Sequence, residues 1–114
     1  MNYFHLDKSQ HQPYLHRFVD TASTQAAKIF GMFPRKGTIQ LGADADLVVY
    51  DPSYRGAISS AKHSIAVDYS AFEGFEVQGR PSAVTVRGEL QAQDGKFVGQ
   101  FGRGEMVFRK PTHF

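Results

Sequence analysis

The segment AVTVRGELQAQDGKFV, residues 83–98, decides the fold predicted for this chain. Its β-branched and apolar residues form two runs on either side of Arg87-Gly88, a pattern typical of strand, turn and strand. Asp94-Gly95 then precedes a third run, residues 96–98, and an Asp-Gly pair in that position is a strong signal for a β-hairpin. The segment therefore predicts a small antiparallel sheet.

The chain from Lys36 to this segment also shows the pattern of strands and turns. Residues 38–41 (TIQL) alternate up to Gly42, and residues 45–51 (ADLVVYD) are rich in β-branched and aromatic side chains. Both runs predict strands, and the Asp51-Pro52 pair is expected to close the second strand with a turn. Its apolar centre, residues 47–50, is expected to be buried in the core.

Residues 13–33 have a helical pattern. Pro13 suits the first turn of a helix. Apolar residues then follow at the spacing of one helical face: Leu15, Phe18, Val19 and Ala22. The sequence therefore predicts a helix that starts near Pro13 and has one apolar side.

A second short helix is predicted over residues 25–30, with Ser23 or Thr24 as its cap. Gly31 is expected to end it in the left-handed conformation, and Pro34 prevents its resumption. The residues expected to turn inward from this helix are Ala26, Ile29 and Phe30.

Length and composition limit the class of protein. The 114 residues suffice for one domain at most, and 41% hydrophobic with 21% charged residues is unlike a disordered tail. No apolar run approaches the roughly 18 residues of a membrane span, and the first twelve residues lack the apolar core of a secretory signal. We therefore expect a cytoplasmic protein without a membrane partner. The absence of cysteine excludes disulfides and thiolate metal sites.

Several motifs in the same order resemble the amidohydrolase superfamily, in its stretch from the last barrel helix into a β-sandwich. They are residues 23–31 (STQAAKIFG), 34–39 (PRKGTI) and 42–51 (GADADLVVYD). Further motifs resemble the C-terminal end of dihydropyrimidinases and D-hydantoinases, which hydrolyse cyclic amides: residues 67–74 (VDYSAFEG), 87–88 (RG), 94–99 (DGKFVG) and 102–104 (GRG). The resemblance covers residues 15–111.

This resemblance implies a β-rich α+β chain with one or two N-terminal helices, a small antiparallel β-sandwich-like part and an extended C-terminal tail. Residues 1–12 are then a flexible N-terminal arm, residues 13–33 resemble the last barrel helices, and residues 34–114 form the β-sandwich part and the tail. The resemblance also implies a parent enzyme with two metal ions, typically zinc, bridged by a carbamylated lysine, in which metal-activated hydroxide attacks the amide.

None of the family's metal-binding motifs stands in this sequence, because it has no His-x-His pair, no matching lysine and no Asp-His motif. We therefore assign no catalytic, cofactor-binding or metal-binding residue to this chain. The acidic Asp44 and Asp46 are interpreted as turn residues beside Gly42. The histidines His5, His11 and His16 are interpreted as solvated, because spacings of six and five residues do not share a helix face.

Two other groups of polar residues are interpreted as non-catalytic. His63 lies near Ser59, Ser60 and Ser64, but no third catalytic member can be assigned. The carboxylates Asp68, Glu73 and Glu76 are expected to be solvated or to cap turns.

Basic residues alternate with phenylalanines in the second half of the chain: Arg80, Arg87, Lys96, Arg103, Arg109 and Lys110. Such a pattern can suit single-stranded nucleic acid. It equally describes strands with cationic outer faces, which protect sheet edges from aggregation. The net charge, 13 − 11 = +2, is too small to imply nucleic acid, and we expect no such partner.

Two functions remain. In the first, the chain is the C-terminal structural and oligomerisation part of a dihydropyrimidinase- or D-hydantoinase-like hydrolase, inactive by itself. In the second, it is a free-standing, non-catalytic module for self-association or for binding a full-length relative. Five phenylalanines serve equally well as core or as interface in either case: Phe72, Phe75, Phe97, Phe101 and Phe108. Both functions predict a homo-oligomer or contact with a full-length relative, because strand edges and an apolar helix face need a cover.

Overall fold

The computed structural model describes residues 8–62 and 66–111. Its helical part comprises α1 (Lys8–Val19), a π-helical turn (Asp20–Thr24) and α2 (Gln25–Ile29). The strands are β1 (Val48–Ala57), β2 (Glu76–Val86), β3 (Glu89–Gln93) and β4 (Lys96–Phe97), with a 3₁₀ turn (Ser60–Lys62) between β1 and β2. The predicted α+β, β-rich class is confirmed.

The strands form one antiparallel sheet in the order β1-β2-β3-β4, so each strand pairs with its neighbour in sequence. Tight turns explain the pairing of β2 with β3 and of β3 with β4. Arg87 and Gly88 have φ values of 50° and 81°, and Asp94 and Gly95 have φ values of 49° and 78°. Two successive residues at positive φ make the turn whose twist matches that of the flanking strands. Both hairpins predicted from residues 83–98 are therefore present.

Strand β1 does not close at the Asp51-Pro52 pair, contrary to the sequence prediction. It continues to Ala57, with a break in register between Asp51 and Arg55, so residues 52–54 have no partners on β2. Proline is tolerated there for two reasons: β1 is an edge strand, and the irregularity needs no amide from Pro52. The pair therefore makes a bulge within a strand and does not end it.

The strand predicted for residues 38–41 is also absent, and these residues form irregular structure in which Leu41 is fully exposed. Alternation alone does not make a strand, because a strand needs a neighbour for its backbone hydrogen bonds. None of the described strands pairs with this run. The expected sandwich is likewise not seen in residues 8–62 and 66–111, which contain a single sheet and no second layer.

The helical part differs from prediction at its start and at its centre. Helix α1 begins at Lys8, five residues ahead of Pro13. Thr24 makes no cap: it is itself helical, and its hydroxyl donates to the carbonyl of Gly37 at 2.8 Å. The two helices are instead joined by a π turn, in which the amide of Gln25 donates to the carbonyl of Asp20. Gly31 ends the helix at φ 67°, as predicted.

The buried core is small. Ala27, 4% exposed, is the only buried hydrophobic residue in the described part of the chain. It lies under the loop at Gly37, where an added Cβ would come within 2.5 Å of the Ala27 Cβ. Ile29 and Phe30, expected to point inward, are more than half exposed. The run 47–50, expected to be core, is also exposed, because the sheet is uncovered.

Candidate functional site

The helical part presents a continuous apolar surface. Leu15, Phe18 and Val19, which we call the helix face, are each more than half exposed, and Phe18 reaches 68%. Their spacing of three and four residues places them on one side of α1. No strand covers them, since no Cα of a helical element lies within 8 Å of a strand Cα in the described residues. The helix face is therefore available for contact.

The sheet is open on both of its sides. Val48 is 61% exposed and Val49, the next residue along β1, is 57% exposed. Successive side chains of a strand point to opposite sides of a sheet, so exposure of both residues leaves neither side covered. The five phenylalanines expected to serve as core or interface are all exposed as well, although Phe72 contacts Phe75 and Phe97 contacts Phe101. Exposed apolar surface on this scale is typical of an interaction site.

A charged cluster fastens the loop ahead of β1. Lys36 Nζ lies 2.8 Å from a carboxylate oxygen of Asp44 and also contacts the carboxylate of Asp46. Arg35 Nε reaches Asp44 at 3.0 Å. The other oxygen of Asp46 accepts the backbone N–H of Arg87 at 2.8 Å, which ties the loop to the β2–β3 turn.

The pKa values of this cluster are shifted by its own contacts. The hydrogen bond from Lys36, and then the one from Arg35, lowers the pKa of Asp44. Burial would raise the pKa of Asp46, but hydrogen bonds from Lys36 and from the Arg87 amide lower it. Burial would lower the pKa of Lys36, and its bonds to the two carboxylates raise it instead. In this cluster the charges compensate each other, and both carboxylates are paired with basic side chains.

Three of the basic residues that alternate with phenylalanines are paired within the chain. Arg80 lies 3.4 Å from Asp94, and its guanidinium also stacks over the ring of Tyr54 at 4.5 Å. Arg103 pairs with Glu89. Arg87 lies 3.4 Å from Glu105. These contacts favour the interpretation of the basic residues as outer-face structural groups.

The remaining residues singled out in the sequence do not converge on a site. His5, His63 and Ser64 lie outside the described residues. His11 and His16 both belong to α1, five residues apart. Glu73 accepts the backbone N–H of Ser60 at 2.7 Å, which is a turn-capping contact.

No group of three histidine, aspartate or glutamate side chains capable of holding a metal occurs within residues 8–62 and 66–111. The carboxylates of Asp44 and Asp46 both pair with Lys36, so they are not free to bind a metal. Over the same two ranges, the helices are too short and too polar to cross a bilayer.

Lys36 was not predicted as a site residue, and it joins two carboxylates eight and ten positions further along the chain. A lysine next to Gly37, followed by two aspartates around the turn at Gly42, is the signal that could have indicated this cluster. It is weak, because it depends on how the loop folds back.

Comparison with known proteins gives consistent matches. The sequence model of the amidohydrolase family matches residues 2–91. The chain is 53% identical over 95 residues to the D-hydantoinase of Geobacillus stearothermophilus, covering 83% of this chain and 20% of that protein. It is 41% identical over 95 residues to the dihydropyrimidinase of Rattus norvegicus, covering 83% of this chain and 18% of that protein.

Solved structures agree. The D-hydantoinase (dihydropyrimidinase) from Thermus sp. superposes with a TM-score of 0.83 at 61% identity, covering 88% of this chain and 22% of that one. The chain therefore spans about a fifth of the length of the curated relatives it matches.

Proposed function

Because this chain belongs to the amidohydrolase family, we propose that it is the C-terminal structural part of a D-hydantoinase- or dihydropyrimidinase-like hydrolase of cyclic amides. The observation that carries this proposal is the lack of a core. Within the described residues, the helix face and both sides of the sheet are uncovered, and Ala27 is the only buried hydrophobic residue. In such a hydrolase, the remaining four-fifths of the protein would cover these surfaces.

Within residues 8–62 and 66–111, the side chains do not fit the pair of metal ions implied by the family. No suitable cluster of ligands occurs in the described ranges, and Lys36 neutralises the two closest carboxylates. Hydrolysis would accordingly depend on residues outside this chain. This chain would contribute apolar contacts to the barrel, one layer of a β-sandwich, and contacts between subunits. We place it in the cytoplasm, a proposal supported by the absence of cysteine.

The proposal predicts that this chain restores a shortened enzyme. The Geobacillus stearothermophilus D-hydantoinase would be produced without the segment that matches this chain and mixed with purified chain, and hydantoin hydrolysis would be measured. We expect activity from the mixture and from neither part alone. Zinc analysis of this chain alone should give background levels.

A matched pair of variants tests the helix face. Phe18→Asp places a charge in the apolar contact and should abolish the restored activity. Arg17→Asp, on the opposite side of α1, should leave it unchanged. If the mixture stays inactive while this chain forms a stable folded oligomer by itself, the free-standing module is the better description. Cyclic-amide hydrolysis by the chain alone would refute both functions.

A further inference from the structure

The backbones of the helical part and of the sheet are well separated in the described residues. No Cα of α1, the π turn or α2 lies within 8 Å of a strand Cα in the described residues. Two segments bridge the gap between them. One is the loop that follows α2 and contains the Lys36 cluster, and the other is the C-terminal tail.

At one end, the tail is bound to the sheet. The Arg87 guanidinium, on the β2–β3 turn, donates to the carbonyl of Arg103 at 2.6 Å and lies 3.4 Å from the carboxylate of Glu105. The Arg103 side chain in turn pairs with Glu89 at the start of β3. These three contacts thus fix the start of the tail on the β2–β3 hairpin.

At its other end, the tail is bound to the end of the helical part. The backbone N–H of Lys110 donates to the carbonyl of Gly31 at 2.8 Å. Gly31 has a φ of 67°, and a Cβ added to it would lie 2.0 Å from the carbonyl oxygen of Lys110. Any other residue at position 31 would displace the tail. Glycine is therefore needed here for the tail contact as well as for the helix end.

We propose that residues 103–110 form a strap that ties the end of α2 to the β2–β3 turn and so sets the position of the helix face relative to the sheet. The strap acts together with the loop that contains Lys36. Two connections restrain the orientation of the helical part relative to the sheet more than one connection would. Its role is positioning: it holds the helix face and the sheet in one fixed arrangement.

The absence of cysteine permits a direct test. Arg17→Cys on α1 and Gln93→Cys on β3, both exposed, would carry two spin labels. The distance between the labels would be measured by pulsed electron paramagnetic resonance, in the full chain diluted with unlabelled chain. We expect one narrow distance distribution. Gly31→Ala should broaden it, and the Lys110 amide should lose its protection from hydrogen exchange.

Gly74→Ala is the matched control. Gly74 also has a positive φ, 80°, but a Cβ there meets nothing within 4 Å. It therefore imposes the same backbone strain without touching the strap, and the distribution should stay narrow. Equal broadening in both variants, or no broadening in Gly31→Ala, would overturn the proposal.

A second variant covers the case in which Gly31→Ala fails to fold. A chain ending at Gly104 keeps Gly31 and removes most of the strap. It should broaden the distance distribution while the Thr85 amide, which bonds to the Leu47 carbonyl, stays protected. A narrow distribution in this shortened chain would count against the strap.

Discussion

At the residue scale, Lys36 pairs with two carboxylates. Its ammonium bridges Asp44 and Asp46, and Asp46 continues to the amide of Arg87. Lys36 and Asp46 together thereby connect the loop after α2 with the β2–β3 turn. The sequence carries only a weak signal for this role, because it depends on contacts between residues up to 41 positions apart.

The cluster makes stability depend on pH at both extremes. Asp44 and Asp46 have folded pKa values below the ordinary 3.8, so their contribution is present above pH 3.8 and is lost as the pH falls through the lowered values. Lys36 has a folded pKa above the ordinary 10.5, so its contribution is present below pH 10.5 and is lost as the pH rises through the raised value.

The test compares urea unfolding midpoints at about pH 5 and about pH 2.5, on either side of the carboxylate titration. The unmodified chain should lose stability on acidification, and Asp46→Asn should lose less, because one of the titrating carboxylates is gone. Asp68→Asn, at an exposed position, is the control and should behave like the unmodified chain. An identical acid dependence in Asp46→Asn and the unmodified chain would show that the cluster does not contribute.

At the element scale, the hairpins were predictable and the edge strand was not. Gly88, Asp94 and Gly95 belong to the residue types that adopt positive φ most readily, so local sequence is a strong guide to both turns. Arg87 adopts a positive φ beside Gly88 without such a preference. Strand β1 passes through Pro52 because it lies at the sheet edge, and the strand predicted for residues 38–41 is absent because it has no neighbour. Whether an apolar run forms a strand, and whether that strand lies at the edge or in the middle of the sheet, depends on the other strands.

The β3–β4 turn should therefore be sensitive to loss of its glycine. Gly95→Ala places an L-residue at φ 78° and should destabilise the chain by about 1 kcal/mol. The measurement is the free energy of unfolding from urea titration. Gly104→Ala, also in open space but without a positive φ, is the matched control and should be neutral or slightly stabilising. Equal effects in the two variants would mean that the turn backbone is not what the glycine provides.

At the scale of the whole molecule, the chain is a single sheet and a helical part that do not cover each other. Large apolar side chains on both parts are exposed, and a stable monomer rarely shows so much uncovered apolar surface. The free edge of β1 adds unpaired backbone groups. We therefore expect the isolated chain to bind a partner, either the rest of a hydrolase or another copy.

In the absence of a longer relative, we predict that the purified chain self-associates. Sedimentation velocity or light scattering over a range of concentrations should show a folded oligomer, and Phe18→Asp should shift the equilibrium towards monomer. Arg17→Asp, on the other side of α1, serves as the control and should not. A well-folded monomer at high concentration would contradict this prediction.

The sequence by itself determined the fold class, the two hairpins, the end of the helix at Gly31 and the family, because each depends on short motifs whose backbone preferences are local. Only the tertiary structure decided which apolar residues are uncovered. It alone also placed β1 at the edge, joined Lys36 to Asp46 and brought Lys110 onto Gly31. Burial and pairing depend on partners distant in the chain. In the described residues, the layer that would bury the run 47–50 is absent, so an apolar pattern that is typical of a core is left on the surface.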